Sequence, residues 1–363
     1  YKSSVCLVLL FLGLQNIVSQ NKNHPFEFNF QQRISKDFLH TSLRPYNENF
    51  YLSESTYYDN DTLLNQNWII KKLYNESFID VKEGDVHLQF DPLYNLSVGT
   101  RNSADEYRIF YNTRGFRVMG DLGEKISFET RFYENQFNYP DYLDAIADEK
   151  GVAIGIGRSK LFKTFGHDAG LSNGYISYSP IKQINFQFGH GRHFFGNGYR
   201  SLLLSDYAPD YPYFSGQYSF FKGKLSYKHV TAWIHSLDRR PVASNPITAE
   251  SLFKQKGATF NMISFQPNQQ LQMSVFEGSI HKRYDEETGS ISPGISFYIP
   301  LFGLPSTMND SSTGMNRVYG YNIALRMLKN LEFYGQGMIQ NSLKWGVQLG
   351  AKYFELFQIK NSF

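Results

Sequence analysis

The feature that most constrains this chain is an alternation of apolar and polar residues with a period of two. In the stretch 126–133 (ISFETRFY), the residues at even positions are apolar or Thr, while the odd positions carry mostly polar and charged side chains. The stretches 184–189, 319–327 and 347–352 alternate in the same way. Successive side chains of a β-strand point to opposite faces. The pattern therefore predicts an all-β chain whose strands are apolar on one face only.

The alternation alone does not say which face is buried, because a soluble β-sandwich would show the same pattern with its apolar face inward. Two observations favour the inverted arrangement. Glu129 and Arg131 place opposite charges close together on a polar face, as suits a crowded lumen. The apolar faces are long and rich in the 26 Tyr and 32 Phe residues, as a lipid-facing surface requires. We therefore predict a transmembrane antiparallel β-barrel in a bacterial outer membrane, with membrane lipid as a partner.

The mean hydropathy of −0.41 does not contradict this prediction, because alternating residues cancel in an average. Residues 1–20 combine Lys2, the apolar run Val5–Leu14 and a polar end, which is the order of a secretory signal peptide. Cys6 lies inside that run, so the mature chain is expected to hold no disulfide. Residues 21–80 lack clean alternation and are interpreted as an N-terminal periplasmic or plugging segment with a helix at 63–73. The barrel is expected to span 81–363.

A turn motif recurs along the barrel region. The stretches 90–96, 178–184 and 265–271 each contain Pro, two further residues, Asn or Gln, and then an apolar residue; 122–126 and 328–331 are shorter versions. Proline cannot donate to a strand ladder, and Asn favours turns. These stretches predict tight periplasmic turns, and the longer connections at roughly 134–172, 191–222, 236–256 and 279–315 predict outer loops. The pattern gives 12 to 14 strands of about 9–11 residues each.

The most unusual stretch is 188–214, where four glycines fall within ten residues near His190, Arg192, His193 and Arg200. Such a stretch predicts a loop folded tightly on itself. Arg200 offers a fork of hydrogen-bond donors, and Tyr207 and Tyr211 offer flat faces on which sugar rings stack. The alternative is structural, with Arg200 pairing with Asp206 or Asp210 to pin the loop.

Other chemistries find weaker support in the sequence. His190 and His193 are weak metal-ligand candidates without a neighbouring carboxylate, so neither a metal nor any other cofactor is expected. The sequence has no phosphate-binding Gly-Lys-Ser/Thr, no Gly-x-Ser-x-Gly and no His-Glu-x-x-His, and Ser201 and Ser205 lack an orienting partner for His193. We therefore expect a protein that is not an enzyme. The net charge of +3 is too small to predict nucleic-acid binding.

The stretch 195–206 (FGNGYRSLLLSD), followed by Ala208-Pro209 and Tyr211-Pro-Tyr, resembles the signature of the Wzi-like capsule-assembly family of outer-membrane proteins. The version here is similar to the Bacteroidetes branch, which includes RemB-type gliding motility proteins. Further stretches that fit this branch are 39–45, 111–116, 132–136 with 139–142, and 174–178. The resemblance runs from about residue 38 to the end, and its Ser-Leu-Leu-Leu-Ser block is the most specific part.

This resemblance implies a barrel of 16–18 strands with a small helical element on the periplasmic side. Members act as surface lectins that hold capsular polysaccharide, which implies glycan-binding roles for Arg200, Asp206, Tyr207 and Tyr211. Two departures stand out: Asn197 replaces the Pro or Asp of many members, and members usually continue well past the equivalent of Phe363. Either Phe363 is the terminal aromatic with which barrel-assembly signals end, or the chain is truncated at its C-terminus; a strand count below 18 favours truncation.

The leading hypothesis is a non-enzymatic outer-membrane barrel that binds or organises surface or capsular polysaccharide. The alternative is a structural or accessory component of the gliding motility or type IX secretion machinery, with other outer-membrane proteins as partners. A pore is a third hypothesis, and an outer-membrane hydrolase built on Ser201 or Ser205 is the least supported.

Overall fold

The computed structural model describes residues 21–24, 39–47, 67–74, 76–100, 109–163, 166–239, 253–285, 287, 289–291, 294, 297–303, 315–328 and 330–353. These residues form two helices, α1 (Trp68–Tyr74) and α2 (Asp141–Lys150). Their strands are β1 (Leu43–Arg44), β2 (Ile79–Glu83), β3 (Val86–Gly99), β4 (Ile109–Leu122), β5 (Ile126–Asn138), β6 (Val152–Ala153), β7 (Gly157–Arg158), β8 (Lys160–Phe162), β9 (Gly166–Ile181), β10 (Ile184–Gly191), β11 (Phe194–Phe195), β12 (Tyr211–Phe220), β13 (Leu225–Arg239), β14 (Phe253–Phe265), β15 (Leu271–Lys282), β16 (Tyr284–Asp285), β17 (Gly289–Ser290), β18 (Asn316–Leu328), β19 (Leu331–Gln340) and β20 (Trp345–Tyr353).

Fourteen of these strands form one antiparallel sheet, in the order β2-β3-β4-β5-β9-β10-β12-β13-β14-β15-β18-β19-β20 with β8 beside β9. The number lies within the expected 12 to 14. Several strands are longer than expected, since β3 and β4 have 14 residues each and β9 has 16. Neighbouring strands are neighbours in sequence apart from short insertions, so the sheet is an up-and-down meander.

The two faces of this sheet have opposite character. On β18, Tyr321 and Ile323 are exposed while Asn322 and Ala324 between them are buried. The same holds around the wall: exposed apolar side chains include Leu88, Phe116, Phe132, Ile176, Phe188, Phe214, Phe333 and Leu349, whereas buried polar ones include Ser127, Glu129, Asn185, Gln187, Ser226, Gln272 and Gln336. A polar interior and an apolar exterior are the arrangement of a transmembrane β-barrel. The predicted fold class and the outer-membrane location are confirmed by this wall.

Segments inside the sheet contact strands from both of its ends. Lys22 forms an ion pair with Asp121 of β4 (2.7 Å), and the Asn47 side chain donates to the Asn21 carbonyl oxygen (2.9 Å). At the other end, the Asn197 backbone N–H donates to Asn322 of β18 (3.0 Å). The sheet therefore curls around residues 21–24, 39–47 and 193–204, which we name the plug. No ladder joins β2 to β20 within the described ranges.

The plug also brings an apolar core into the lumen. Its centre is Leu43 of β1, paired with Phe195 of β11. These two residues pack against inward-facing wall residues: Tyr211, Tyr213, Val230, Ala232, Ala258, Phe260, Met262 and Phe276. The lumen is thus not polar throughout, because the plug presents apolar side chains and the wall residues around it are apolar too.

Most of the predicted tight turns are confirmed. Short turns lie between β4 and β5, β9 and β10, β14 and β15, and β18 and β19. The prediction at 90–96 was wrong, because this stretch continues β3, with Pro92 opposite Phe116 of β4. The pairing of β2 with β3 ends at Phe90, so in the described residues Pro92 has no β2 partner to which it must donate.

The long connections lie at the opposite end of the wall, as predicted, but they are shorter than expected. β5 extends to Asn138, β9 begins at Gly166, and β12 occupies Tyr211–Phe220, within the stretch interpreted as a loop. Tyr211 is thus a strand residue. The connection between β5 and β9 carries α2, and its Ala153 packs in a small core with Phe137 of β5 and Ala169 of β9.

Around residues 63–80 the prediction of a helix is partly met by α1, which begins at Trp68; residues 63–66 and the predicted signal peptide lie outside the described residues. Residues 79 and 80 of the predicted N-terminal segment belong to the wall, because β2 begins at Ile79. No helix in the part of the chain that the structure describes is long and apolar enough to cross a membrane.

Candidate ligand cavity in the lumen

A cavity of about 500 Å³ lies between the plug and the strands β3 to β12. Tyr111 and Gly191 lie near the ends of β4 and β10 that lead into long connections, so the cavity occupies that end of the lumen. Its lining is mostly polar and aromatic, and consists of Asn23, His24, Pro45, Asn95, Tyr111, Thr113, Glu129, Arg131, Tyr133, Asn135, Leu171, Asn173, Gly174, Tyr175, His190, Gly191, Arg192, Asp210 and Tyr213.

One charged pole of the cavity is centred on Glu129 of β5. Arg131, two residues along the same face, donates to the Glu129 carboxylate, and Arg117 of β4 lies 3.4 Å from it. The Tyr175 hydroxyl donates to the second carboxylate oxygen (3.4 Å) and accepts from the Asn23 backbone N–H (2.7 Å). The two arginines balance the charge that burial of a carboxylate would otherwise make costly.

The second pole is centred on Asp210, whose side chain is 1% exposed. Arg192 donates from Nε to Asp210 (2.6 Å), and the Asn173 side chain donates to the other carboxylate oxygen (3.0 Å). Arg192 also donates to the carbonyl oxygens of Asp206 and Gly155, both at 3.1 Å. Arg192 therefore ties the cavity wall to two of the long connections.

Amides and tyrosines line the space between these poles. The Tyr111 hydroxyl (3.1 Å) and the Thr113 hydroxyl (2.9 Å) both donate to the Asn135 side-chain oxygen. Tyr133 lines the cavity from β5 and is only partly buried. Rings beside fixed donors and acceptors can pack on the apolar face of a sugar while they hydrogen-bond its hydroxyl groups. The cavity therefore has the chemistry of a site for a polar, uncharged or zwitterionic ligand.

The glycine-rich stretch folds inward as part of the plug. Gly196 has φ +124°, and a Cβ there would lie 1.9 Å from Gln336 Nε2, so only glycine fits. Asn197 is fully buried, and it exchanges hydrogen bonds with Asn322 and donates to Thr41 (3.0 Å). This half of the motif has a structural role.

The four sequence-predicted site residues are only partly brought together. Arg200 pairs with Asp206 (2.8 Å) at the surface, which is the strut arrangement considered from sequence. Tyr207 is 62% exposed and available to a ligand. Tyr211 is 5% exposed and accepts from the His193 backbone N–H (3.2 Å), so its ring faces are not free for stacking and the sugar-stacking role does not fit its placement.

The weak metal candidates also have other roles. His193 is buried beside Tyr213, and burial holds its imidazole pKa well below the usual value. His190 donates from Nδ1 to the Ser172 carbonyl oxygen (2.6 Å). No group of three His, Cys, Asp or Glu side chains that could hold a metal occurs among the described residues. Ser201 donates to the Phe195 carbonyl oxygen, and Ser205 donates to Asp206.

Sequence reasoning noted Arg192 and Asp210 but assigned them no cavity role, and it missed Asn173 and Tyr175. The Glu129–Arg131 spacing was the one visible signal, because residues two apart on a strand share a face. The remaining lining residues come from eight separate parts of the chain, and nothing local marks them.

Comparisons with known proteins identify solved structures only, since no family model and no curated protein matches the chain. A NanC porin structure matches 74% of this chain and 93% of its own, with a TM-score of 0.31 and 8% identity. OmpT, an outer membrane protein of Vibrio cholerae, matches 76% and 99%, with a TM-score of 0.30 and 10% identity. The CymD monoaromatic hydrocarbon channel matches 76% and 72%, with a TM-score of 0.23 and 10% identity. Similarity this low carries no argument about function, and the fold rests on the strand pairing described above.

Proposed function

We propose that this protein is a non-enzymatic outer-membrane barrel that binds surface polysaccharide at the long-connection end of its lumen. The supporting observation is the cavity itself: about 500 Å³ lined by Tyr, Asn and two arginine–carboxylate pairs. The resemblance to the Wzi-like family, Bacteroidetes branch, is part of the same proposal. The exposed Arg200 is linked to this site through Asp206, whose side chain pairs with Arg200 and whose carbonyl oxygen accepts from Arg192, and Tyr207 is the next residue along the chain.

The plug favours binding over conduction. Plug residues contact wall strands from β4 to β19, and Phe194, Phe195 and Asn197 are at most 1% exposed. A lumen filled in this way offers little free path to ions. A saccharide chain, by contrast, needs only a pocket of this size that holds a few sugar units.

The test is binding of purified protein in detergent to an array of immobilised bacterial capsular polysaccharides. Tyr133→Ala removes a partly buried ring from the cavity without touching the plug, and we expect it to weaken binding about tenfold, in line with the loss of one aromatic contact. Tyr178→Ala, which removes an outward-facing ring from β9, is the matched control and should leave binding unchanged.

A parallel arm uses Arg200→Ala and Tyr207→Ala. Weaker binding in this arm and in Tyr133→Ala would support one continuous site. Equal binding by the wild type, the cavity variant and the loop variants, with folding intact, would overturn the proposal. Capture of gliding or secretion proteins by a wild-type barrel that retains no glycan would favour the accessory-component hypothesis instead.

A further inference from the structure

The outer face of the wall carries a polar cluster where an apolar surface is expected. On β13, β14 and β15 the inward positions are Val230, Met262 and Phe276, and the alternate, outward positions next to them are His229, Asn261 and Glu277. His229 Nδ1 lies 2.7 Å from the Asn261 side-chain oxygen, and the Asn261 amide donates to Glu277 (3.3 Å). We name His229, Asn261 and Glu277 the outer-face cluster.

All three residues are buried, although they point away from the lumen: His229 is 1% exposed, and Asn261 and Glu277 are 0% exposed. The cover is the segment 297–303, which belongs to the connection between β15 and β18 and which we name the strap. The Gly303 backbone N–H donates to Glu277 (2.7 Å), and the Thr231 hydroxyl donates to the Phe297 carbonyl oxygen (3.3 Å). Hydrogen bonds thus fasten the strap at both ends.

A ring contact and a glycine complete the fit. Phe297 packs edge-on against the outward-facing His281 of β15, with ring centroids 4.7 Å apart. A Cβ at Gly257 would lie 2.5 Å from His281 Nε2 and 3.1 Å from Phe297, so the glycine makes room for both rings. The strap is therefore a packed layer on the outer wall.

One cross-strand row shows what the strap replaces. Pairing joins His229 to Asn261, Asn261 to Glu277, Glu277 to Tyr319, Tyr319 to Ile339 and Ile339 to Trp345. The first three members are polar and covered. The last three are apolar, bare and 37%, 45% and 76% exposed.

The strap itself presents apolar side chains outward. Tyr298 is 49% exposed, Ile299 is 37% exposed and Leu301 is 55% exposed. Their exposed fractions match those of the bare wall residues in the same row. A carboxylate that faces hydrocarbon without a cation beside it is costly, and a layer that excludes lipid from Glu277 removes that cost.

We infer that the strap is a lipid-facing surface: Tyr298, Ile299 and Leu301 contact the acyl chains of the outer membrane in place of the side chains of β13 to β15. The bilayer is chosen over a protein partner because the strap continues the exposed apolar row of β18 to β20 and carries no charged residue between 297 and 303. This inference concerns the outer wall and does not depend on the proposed glycan cavity.

The test places a bimane label at Leu301→Cys in a Cys6→Ser background, which removes the one native cysteine. The full chain is reconstituted in phosphatidylcholine–phosphatidylglycerol vesicles with or without doxyl-labelled acyl chains. Leu349→Cys on the bare wall is the lipid-exposed reference, and Tyr207→Cys in a long connection is the water-exposed reference. We expect doxyl lipid to quench the label at 301 as strongly as at 349, and several-fold more strongly than iodide does.

Quenching at 301 by iodide, as at 207, would place the strap in water and overturn the inference. Resistance to both quenchers would mean that protein covers the strap, which would overturn it equally. A second readout uses Glu277→Ala, which removes the acceptor for Gly303. It should change doxyl quenching at 301 by at least about twofold while leaving that at 349 unchanged, and no change at 301 would show that Glu277 does not position the strap.

Discussion

The two halves of the lumen are filled in different ways. The packed half, bounded by β12 to β20, holds residues 39–47 and 193–204 against the wall with an apolar core and a dense polar network. The open half, bounded by β3 to β12, holds residues 21–24 and Pro45 from the plug and keeps the cavity of about 500 Å³. The same up-and-down wall thus supports either packing or a void. The difference is set by how much of the chain folds inside each half, and the packed half should account for most of the stability of the plug.

The largest loss of stability is expected from a substitution at the buried charged residues of the packed half. Glu332 is 3% exposed and accepts from Arg326 and from Lys352, both at 3.2 Å. Glu332→Ala leaves two cations without their shared carboxylate, so the free energy of unfolding should fall by about 3–5 kcal/mol. Urea titration followed by the heat-dependent gel mobility of the barrel measures this loss.

The control for that change lies on the outside of the open half. Glu134 pairs with Arg114 at 3.4 Å, and both side chains are about half exposed. Glu134→Ala should cost less than about 1 kcal/mol. Equal losses for the two variants would mean that the packed network contributes no more than a surface pair.

The stability cost of an alanine substitution at a glycine can be compared directly between the two halves. Gly196→Ala in the packed half drives a Cβ into Gln336 at a positive φ, which should cost roughly 2–4 kcal/mol. Gly191→Ala in the open half meets only Tyr213, at 3.6 Å, and should change stability by less than about 0.5 kcal/mol. Differential scanning calorimetry of the two variants tests the pair; a stable Gly196→Ala protein would show that the plug shifts freely.

A smaller effect, visible only as a function of pH, is expected at His40. Burial lowers its pKa to about 4. Its Nε2 lies 2.7 Å from the Gly223 carbonyl oxygen and its Nδ1 lies 2.9 Å from the Ser264 hydroxyl, an arrangement that suits the neutral ring. The unfolded chain binds the proton near pH 6.5, so stability is lost as pH falls from about 6.5 to about 4, by at most about 3 kcal/mol.

His40→Asn removes this titration while tolerating the positive φ of 59° at that position. Its stability should vary less between pH 6.5 and pH 4 than that of the wild type, as measured by urea midpoints across that range. Parallel pH profiles for the two proteins would rule out His40 as the source of acid sensitivity.

The wall was predictable from sequence because strand alternation is local. The alternation in Tyr319–Met327 predicted both a strand and which of its faces points outward. The short turns at one end of the wall were predicted from Pro, Asn and Gln residues. The prediction at Pro92 was wrong because a proline in a strand that is paired on one side only looks the same in sequence as a proline in a turn. Tyr211 was placed in the predicted outer connection 191–222, yet it pairs with Gly191 within the sheet.

The site was far less predictable, since its lining comes from residues as distant as Asn23 and Tyr213. Whether a lumen-facing Tyr borders a cavity or a packed plug depends on which segments fold inside, and no spacing encodes that. One outer-wall signal did exist. Along β15 the apolar face of Leu271, Met273 and Val275 turns polar at Glu277, and a lipid-facing strand that changes character midway predicts a cover.

The plug has a mechanical consequence. A cylindrical sheet resists stretching along its strands but flattens easily, because rotation between neighbouring strands is soft. The plug connects opposite sides of the wall. Lys22 forms an ion pair with Asp121 on one side, Asn197 is hydrogen-bonded to Asn322 on the other, and residues 39–47 link the two through Asn47–Asn21 and Thr41–Asn197 hydrogen bonds. A sheet braced from within is expected to resist flattening under lateral membrane pressure, which limits changes in the shape of the cavity.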